Sequence, residues 1–316
     1  MSDADNRWQS DLIEKLATSA LHEQRRARRW GIFFKLLTFV YVTFILVAFV
    51  DWGGGSGMNG SGGKHTALVE IDGVIAPGGD GSADRVNAAL RQAFKDENTQ
   101  GVVLRINSPG GSPVQAQNIY DEIRRLRAKY PQIPIYAVIE DICASGGYYV
   151  AAATDRIYVG RSSIVGSIGV RMDSFGFTGL MDKLGIERRL LTSGNDKGLL
   201  DPFLPVDENQ KQHVLSMMNE IHQQFIASVR EGRGKRLKEA PELFSGLIWS
   251  GQKSVELGLA DALGNLTSVA RDVIRAEDIR NYTQKDNIAE KFARRFGAGV
   301  TSALIEAAQR ATPVLR

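Results

Sequence analysis

Cysteine and histidine are scarce in this chain: one cysteine, Cys143, and four histidines, His22, His65, His213 and His222, among 316 residues. A single cysteine excludes an internal disulfide and any multi-cysteine metal site. Cys143 reads as a small buried apolar side chain pointing into the preceding strand or turn. Its place two residues before Ser145 makes a cysteine nucleophile the competing reading. Charge is not in excess either. The formal net charge is +3, with Lys and Arg spread along the chain, which gives no basis for a nucleic-acid partner. Internal repeats are absent. With 43% hydrophobic residues, the chain can bury a full core, as one large domain or two small ones.

Against that scarcity, Ser145 stands out. It lies in Cys143-Ala144-Ser145-Gly146-Gly147-Tyr148-Tyr149, after the apolar run 135–139 and at the head of an Ala-rich segment that reads as a helix. A serine at a strand-to-helix turn exposes its hydroxyl and sets backbone N–H groups beside it, as a nucleophile requires. Histidine is not the expected base. His22 precedes an apolar run, His65 sits in a glycine-rich linker, and His213 and His222 fall in a polar helical stretch. Lysine is the remaining common base, provided that burial lowers its pKa several units below about 10.4. Most lysines here lie in charged helical stretches. Lys197 lies instead in a turn-rich segment, 192–200 (TSGNDKGLL), after an expected strand at 189–191. Taken alone, it reads as a surface turn lysine with Asp196 beside it.

The long apolar run is 32–50, IFFKLLTFVYVTFILVAFV, interrupted only by Lys35 and two threonines. At 1.5 Å per residue it reaches about 28 Å, close to the roughly 30 Å hydrocarbon core of a bilayer. Lys35 can snorkel from one end, and Trp30 and Trp52 bracket the run at interface positions. Arg25, Arg26, Arg28 and Arg29 crowd one flank, whereas Asp51 and then glycine and serine follow the other. The positive-inside rule therefore places residues 1–30 in the cytoplasm and everything after 51 outside. No A-x-A site follows the run, which argues against a cleaved signal peptide.

The expected organisation is a polar cytoplasmic segment at 1–30, a transmembrane helix at 31–51, and a Gly/Ser-rich tether at 52–65. A soluble domain at 66–280 and a helical tail at 281–316 follow. In the tail, Phe292, Phe296, Val300, Leu304 and Ala308 are spaced along one face. Within the domain, apolar runs at 67–71, 101–106, 135–139 and 156–159 alternate with helical patterns at 83–95, 114–129 and 145–154. That alternation predicts an α/β fold with a mainly parallel sheet and flanking helices. A long helix at 207–232 and a capped one at 250–257 follow. Catalytic groups gather at the carboxyl ends of such strands. There lie Asn107-Ser108-Pro109-Gly110-Gly111-Ser112, the Ser145 turn, and a third loop ending in Val165-Gly166-Ser167-Ile168-Gly169. The N–H groups of Gly110 and Gly111, with that of Gly146, are candidate oxyanion donors. Losing one such donor costs roughly 3–4 kcal/mol.

From Ala67 to about Leu263 the chain resembles the signal peptide peptidase A (SppA) family of membrane-anchored serine proteases, in its short single-domain form. The family belongs to the Clp protease/crotonase-like superfamily. The matching stretches are INSPGG (106–111), ASGGYY (144–149), VGSIGV (165–170) and SG-x-x-K (193–197). The resemblance implies a Clp protease/crotonase-like fold preceded by one transmembrane helix, and a Ser–Lys dyad with Ser145 as nucleophile and Lys197 as base. It implies that Ser167 orients the lysine, that Gly110 or Gly111 joins Gly146 in the oxyanion hole, and that no cofactor is needed. Substrates would be residual signal peptides and other short apolar peptides. The implied location is the bacterial inner membrane, with the catalytic domain periplasmic and neighbouring copies assembling into rings or domes. Two other functions fit less of the sequence. A crotonase-like acyl-CoA enzyme would need a catalytic Glu or Asp after the second loop, where the helix at 145–154 offers none. A non-catalytic oligomeric membrane scaffold would not need serine, lysine and both glycine loops together.

Overall fold

In the computed structural model, β1 (His65–Asp72), β2 (Thr99–Ser108) and β3 (Ile135–Ala144) run parallel through the middle of an eight-stranded sheet. The structure describes residues 26, 28–44, 63–238 and 240–284. The first two strands are buried along most of their length and apolar through their middles, at 67–69 and 102–104, because helices and loops cover both faces of the sheet. On one face lie α1 (Ala83–Lys95) and α2 (Pro113–Lys129), which bury stripes through Val86, Leu90 and Phe94 and through Ile119, Ile123 and Leu126. The start of α2 is fixed by Ser112, whose side chain accepts from the Gln115 N–H at 3.4 Å, and by Pro113 in the first turn. On the other face, Leu68, Val103, Val138 and Tyr158 pack with Val269.

At β3 the sheet divides. The first half of β3 pairs with β4 (Arg156–Val159), and its last residues pair with β5 (Ile164–Gly166), which meets β6 (Ile248–Ser250) antiparallel. The helix α3 (Gly146–Ala151) leaves the end of β3. β7 (Ala262–Leu263) extends β4, and β8 (Ile279–Asn281) adds to the free edge of β1. The sheet is therefore mixed, with every pairing parallel except β5 with β6. A short helix, α4 (Thr178–Leu184), precedes the long α5 (Glu208–Arg233), and α6 (Gly251–Glu256) follows β6. Arg233, wholly buried at the end of α5, donates through Nη1 to Asp261 at 2.8 Å. Asp261 also accepts the Ile157 N–H at 2.7 Å, so one carboxylate ties α5 to β4.

Several local expectations are corrected. Residues 189–191 form no strand, and none of residues 171–206 is buried, although the segment includes Phe175, Leu184, Leu191 and Val206. Apolar side chains there find no sheet edge to join. His65, expected in the linker, is the first residue of β1 and wholly buried. Its Nε2 lies 2.9 Å from the Tyr282 hydroxyl, which donates to Asp96 at 2.6 Å. The chain divides into two units, 60–286 and 1–59 with 287–316. In the latter, the described part is an exposed helix over 28–44. Among the described residues no helix is long and apolar enough to cross a membrane. Residues 45–51 of the expected span, most of the expected cytoplasmic segment (1–25 and 27) and of the tether (52–62), and the tail beyond 284, lie outside the described residues.

Candidate active site

Ser145 sits between β3 and α3 with φ 52° and ψ −122°, a conformation that a residue with a side chain rarely takes. Holding it there costs on the order of 1–3 kcal/mol, which the surroundings must offset. They do so through the backbone. The Ser145 N–H donates to the Gly166 carbonyl at 2.9 Å, and the Ser145 carbonyl accepts from Tyr149 N–H at 3.0 Å. The hydroxyl has no hydrogen-bond partner among the described residues. Ser167, next in the chain after Gly166, shares the positive φ of 52° and donates its N–H to the Leu247 carbonyl at 2.7 Å. The structure thus holds Ser167 one residue from the carbonyl that anchors the Ser145 turn.

The loop after β2 presses against this turn. Gly110 has φ 104°, and a Cβ there would lie 2.7 Å from the Ser145 Cβ. A Cβ on Gly111 would lie 2.1 Å from the Ile75 carbonyl oxygen, so only glycine fits. The Ile75 N–H donates to the Gly110 carbonyl at 2.8 Å, and the Ser112 N–H donates to the Ile75 carbonyl at 2.8 Å. The three glycines named from the sequence are not equivalent. The Gly110 N–H is donated to the Ser108 hydroxyl at 3.1 Å, whereas the N–H groups of Gly111 and Gly146 have no acceptor among the described residues. The Gly111 nitrogen lies 3.3 Å from the position a Gly146 Cβ would take, so the two free donors are near neighbours.

Beside Ser145 is a small cavity of about 40 Å³, bordered by Gly111, Ala116, Gly146, Tyr149 and, from α5, Phe225. Its aromatic wall is fixed by the Tyr149 and Phe225 rings at 4.9 Å and by the Ser228 hydroxyl, which donates to the Tyr149 hydroxyl at 2.9 Å. None of the residues lining the cavity is Asp or Glu, so the acid that an acyl-CoA reaction would need is not supplied there. A larger hollow of about 380 Å³ between Arg124, Arg127, Tyr130 and Asp155 shares no residue with this site. Its guanidinium groups are engaged by Glu231 and Asp155.

Cys143 is wholly buried, and burial pushes its thiol far above the ordinary range, which leaves it inert beside the exposed-side Ser145 turn. Lys197 is exposed within 171–206; its backbone N–H donates to the Gly194 carbonyl at 3.2 Å, and its side chain makes no hydrogen bond or ion pair with a described residue. A single chain does not form the dry niche expected around its amine. Two site features escaped the sequence reading. Ser108 is wholly buried as the acceptor for Gly110, a role that the Ser-x-Gly spacing of a local turn could have signalled. His222 on α5 places Nε2 3.1 Å from the Ile168 carbonyl, next to Ser167, and nothing local in the sequence marks it.

A profile of Peptidase family S49 matches residues 127–280. A Synechocystis chain named as a protease is 32% identical over 204 residues, covering 64% of this chain and 70% of that one. An Enterococcus faecium chain named as a signal peptide peptidase SppA is 30% identical over 213 residues, covering 65% of this chain and 61% of that one. The Na(+)/H(+) antiporter NhaA of Brucella melitensis is 40% identical over 251 residues, which cover 77% of this chain and 33% of that protein. This chain thus spans about a third of the antiporter-named relative it matches.

Proposed function

We propose, from the premise that the chain belongs to peptidase family S49, that it is a membrane-anchored serine endopeptidase with Ser145 as nucleophile and Lys197 as base. The observation that carries this reading is the Ser145 turn itself. A hydroxyl is held at φ 52° beside two backbone donors, all three without a partner among the described residues, and beside a small cavity with aromatic walls. The neutral Lys197 amine takes the Ser145 proton as Oγ bonds to the substrate's carbonyl carbon. The N–H groups of Gly111 and Gly146 hold the resulting oxyanion. As the C–N bond breaks, the Lys197 ammonium protonates the leaving amine. Water, deprotonated by the same amine, then releases the acyl group and restores Ser145.

Lys197 must be neutral to act, and within one chain its segment has no buried residue. We therefore place a second copy of the chain over 171–206, covering Phe175 and Leu191 and desolvating the amine. The apolar run 32–50 anchors the chain in the bacterial inner membrane, and Ser167 orients the lysine. Residual signal peptides and other apolar peptides at the extracytoplasmic face are the substrates, with a compact side chain seated in the cavity. Ser145→Ala and Lys197→Ala, assayed separately on an apolar peptide, should each lose most of the activity, because members of a catalytic unit fail together. Either variant within about tenfold of the parent protein would reject the dyad. Sedimentation should show association, and a monomer of full activity would reject the covering copy.

A further inference from the structure

We propose that Ser108 is a positioning residue of the oxyanion loop. Its hydroxyl takes the Gly110 N–H, and this leaves the next N–H, that of Gly111, turned toward the substrate's carbonyl oxygen beside Gly146. The inference rests on Ser145 being the nucleophile.

Three observations carry it. Ser108 closes β2 just where the pairing of β2 with β3 slips, and it stands opposite Cys143 in that pairing. There its side chain is wholly buried, and its Oγ is 3.1 Å from the Gly110 nitrogen. Gly110 is itself buried, and its carbonyl already accepts from the Ile75 N–H, so both its backbone polar groups are committed inside the loop. Without the hydroxyl, a buried N–H would be left without a partner, and the loop would turn to find one. Ser108 also touches the other donor's element. Its carbonyl oxygen is 3.1 Å, and its Cβ 3.4 Å, from the position of a Cβ on Gly147 in the first turn of α3. One residue thereby sets the spacing between the loop that presents Gly111 and the helix that presents Gly146. Oxyanion donors must be aimed before charge develops, so a loosened loop costs turnover rather than substrate affinity.

The test compares Ser108→Ala and Ser108→Cys in the full chain, with Ser145→Ala as control, on an apolar peptide and with a serine-reactive phosphonate. Ser108→Ala should lower kcat about 10- to 100-fold with KM within about twofold, less than the loss from deleting a donor outright. Phosphonate labelling should slow in step. Ser108→Cys keeps a weak acceptor of similar shape and should recover part of kcat. If the alanine variant does not fold, the cysteine variant carries the test, with reduced kcat at unchanged KM expected. Unchanged kcat in a folded variant overturns the proposal. So does a loss of kcat that tracks a lowered melting temperature with the cysteine variant no better than alanine. If Ser145→Ala keeps its activity, the nucleophile assignment falls, and this inference falls with it. If Ser145→Ala is inactive while Ser108→Ala is fully active, only this inference falls.

Discussion

Asp261→Asn tests the junction that holds α5 against the sheet. The Asp261 carboxylate accepts from Arg233 Nη1 at 2.8 Å, Ile157 N–H at 2.7 Å and Arg236 Nη1 at 3.1 Å. Arg233 is 1% exposed, so removing the negative charge strands a buried guanidinium. Breaking one side of such a buried pair costs about 3–5 kcal/mol. At about 2–4 °C per kcal/mol for a domain of this size, the melting temperature should drop by about 6–20 °C. The pH dependence supplies the sharper check. Desolvation pushes the Asp261 carboxyl upward, but the Arg233 hydrogen bond and charge, the Ile157 N–H and Arg236 outweigh it and hold it below the ordinary value. A depressed carboxylate contributes stability that is complete above its unfolded pKa of about 3.9 and is lost as pH falls through the folded value. Thermal melts followed by circular dichroism should therefore show a constant gap between parent and variant from about pH 7 to 5, narrowing only below about pH 4. A drop of under about 2 °C at pH 7, or a gap that closes above pH 5, would refute the assignment.

Phe225→Ala removes one of the two rings, Tyr149 and Phe225, that wall the cavity beside Ser145. Selectivity on a peptide series should shift toward larger side chains at the cleaved bond, at a stability cost of about 3–5 kcal/mol. An unchanged preference would show that the cavity does not receive the side chain. Gly110→Ala sets a Cβ 2.7 Å from the Ser145 Cβ at a φ of 104°, so the turn must shift. Phosphonate labelling of Ser145 should slow by about 100-fold or more, comparable to losing an oxyanion donor, and labelling at the parent rate would contradict the contact.

The helix Ala83–Lys95 and the strand Arg156–Val159 were legible in the sequence to the residue, because an apolar stripe and a short apolar run are local signals. Ile164–Gly166 and Ile248–Ser250 were not, since three residues carry no period and only their mutual pairing makes them strands. Residues 189–191 read as a strand for the opposite reason. Leu190 and Leu191 are apolar, but no edge receives them. In the site, Ser145, Gly110, Gly111 and Gly146 stood out because a sharp turn and close backbone approach demand those residue types. The division of labour among the glycines depends on where the Ser108 hydroxyl points, and the exposure of Lys197 depends on 171–206 finding no place in the core. Neither is written in the local pattern.

Strand β8 lies parallel to β1 at the sheet's free edge, with Thr66 opposite Ile279 and Leu68 opposite Asn281. The polypeptide comes into β1 at its amino end and leaves β8 at its carboxyl end. A pull between the two flanking segments therefore acts along these adjacent strands in opposite directions. Such a force strains the bridging bonds together, in shear, instead of peeling them one by one. The Tyr282 ring, stacked 6.0 Å from His65 and bonded to Asp96, adds side-chain ties beside the seam. A load applied between those two flanking segments is thus shared by the hydrogen bonds of this edge.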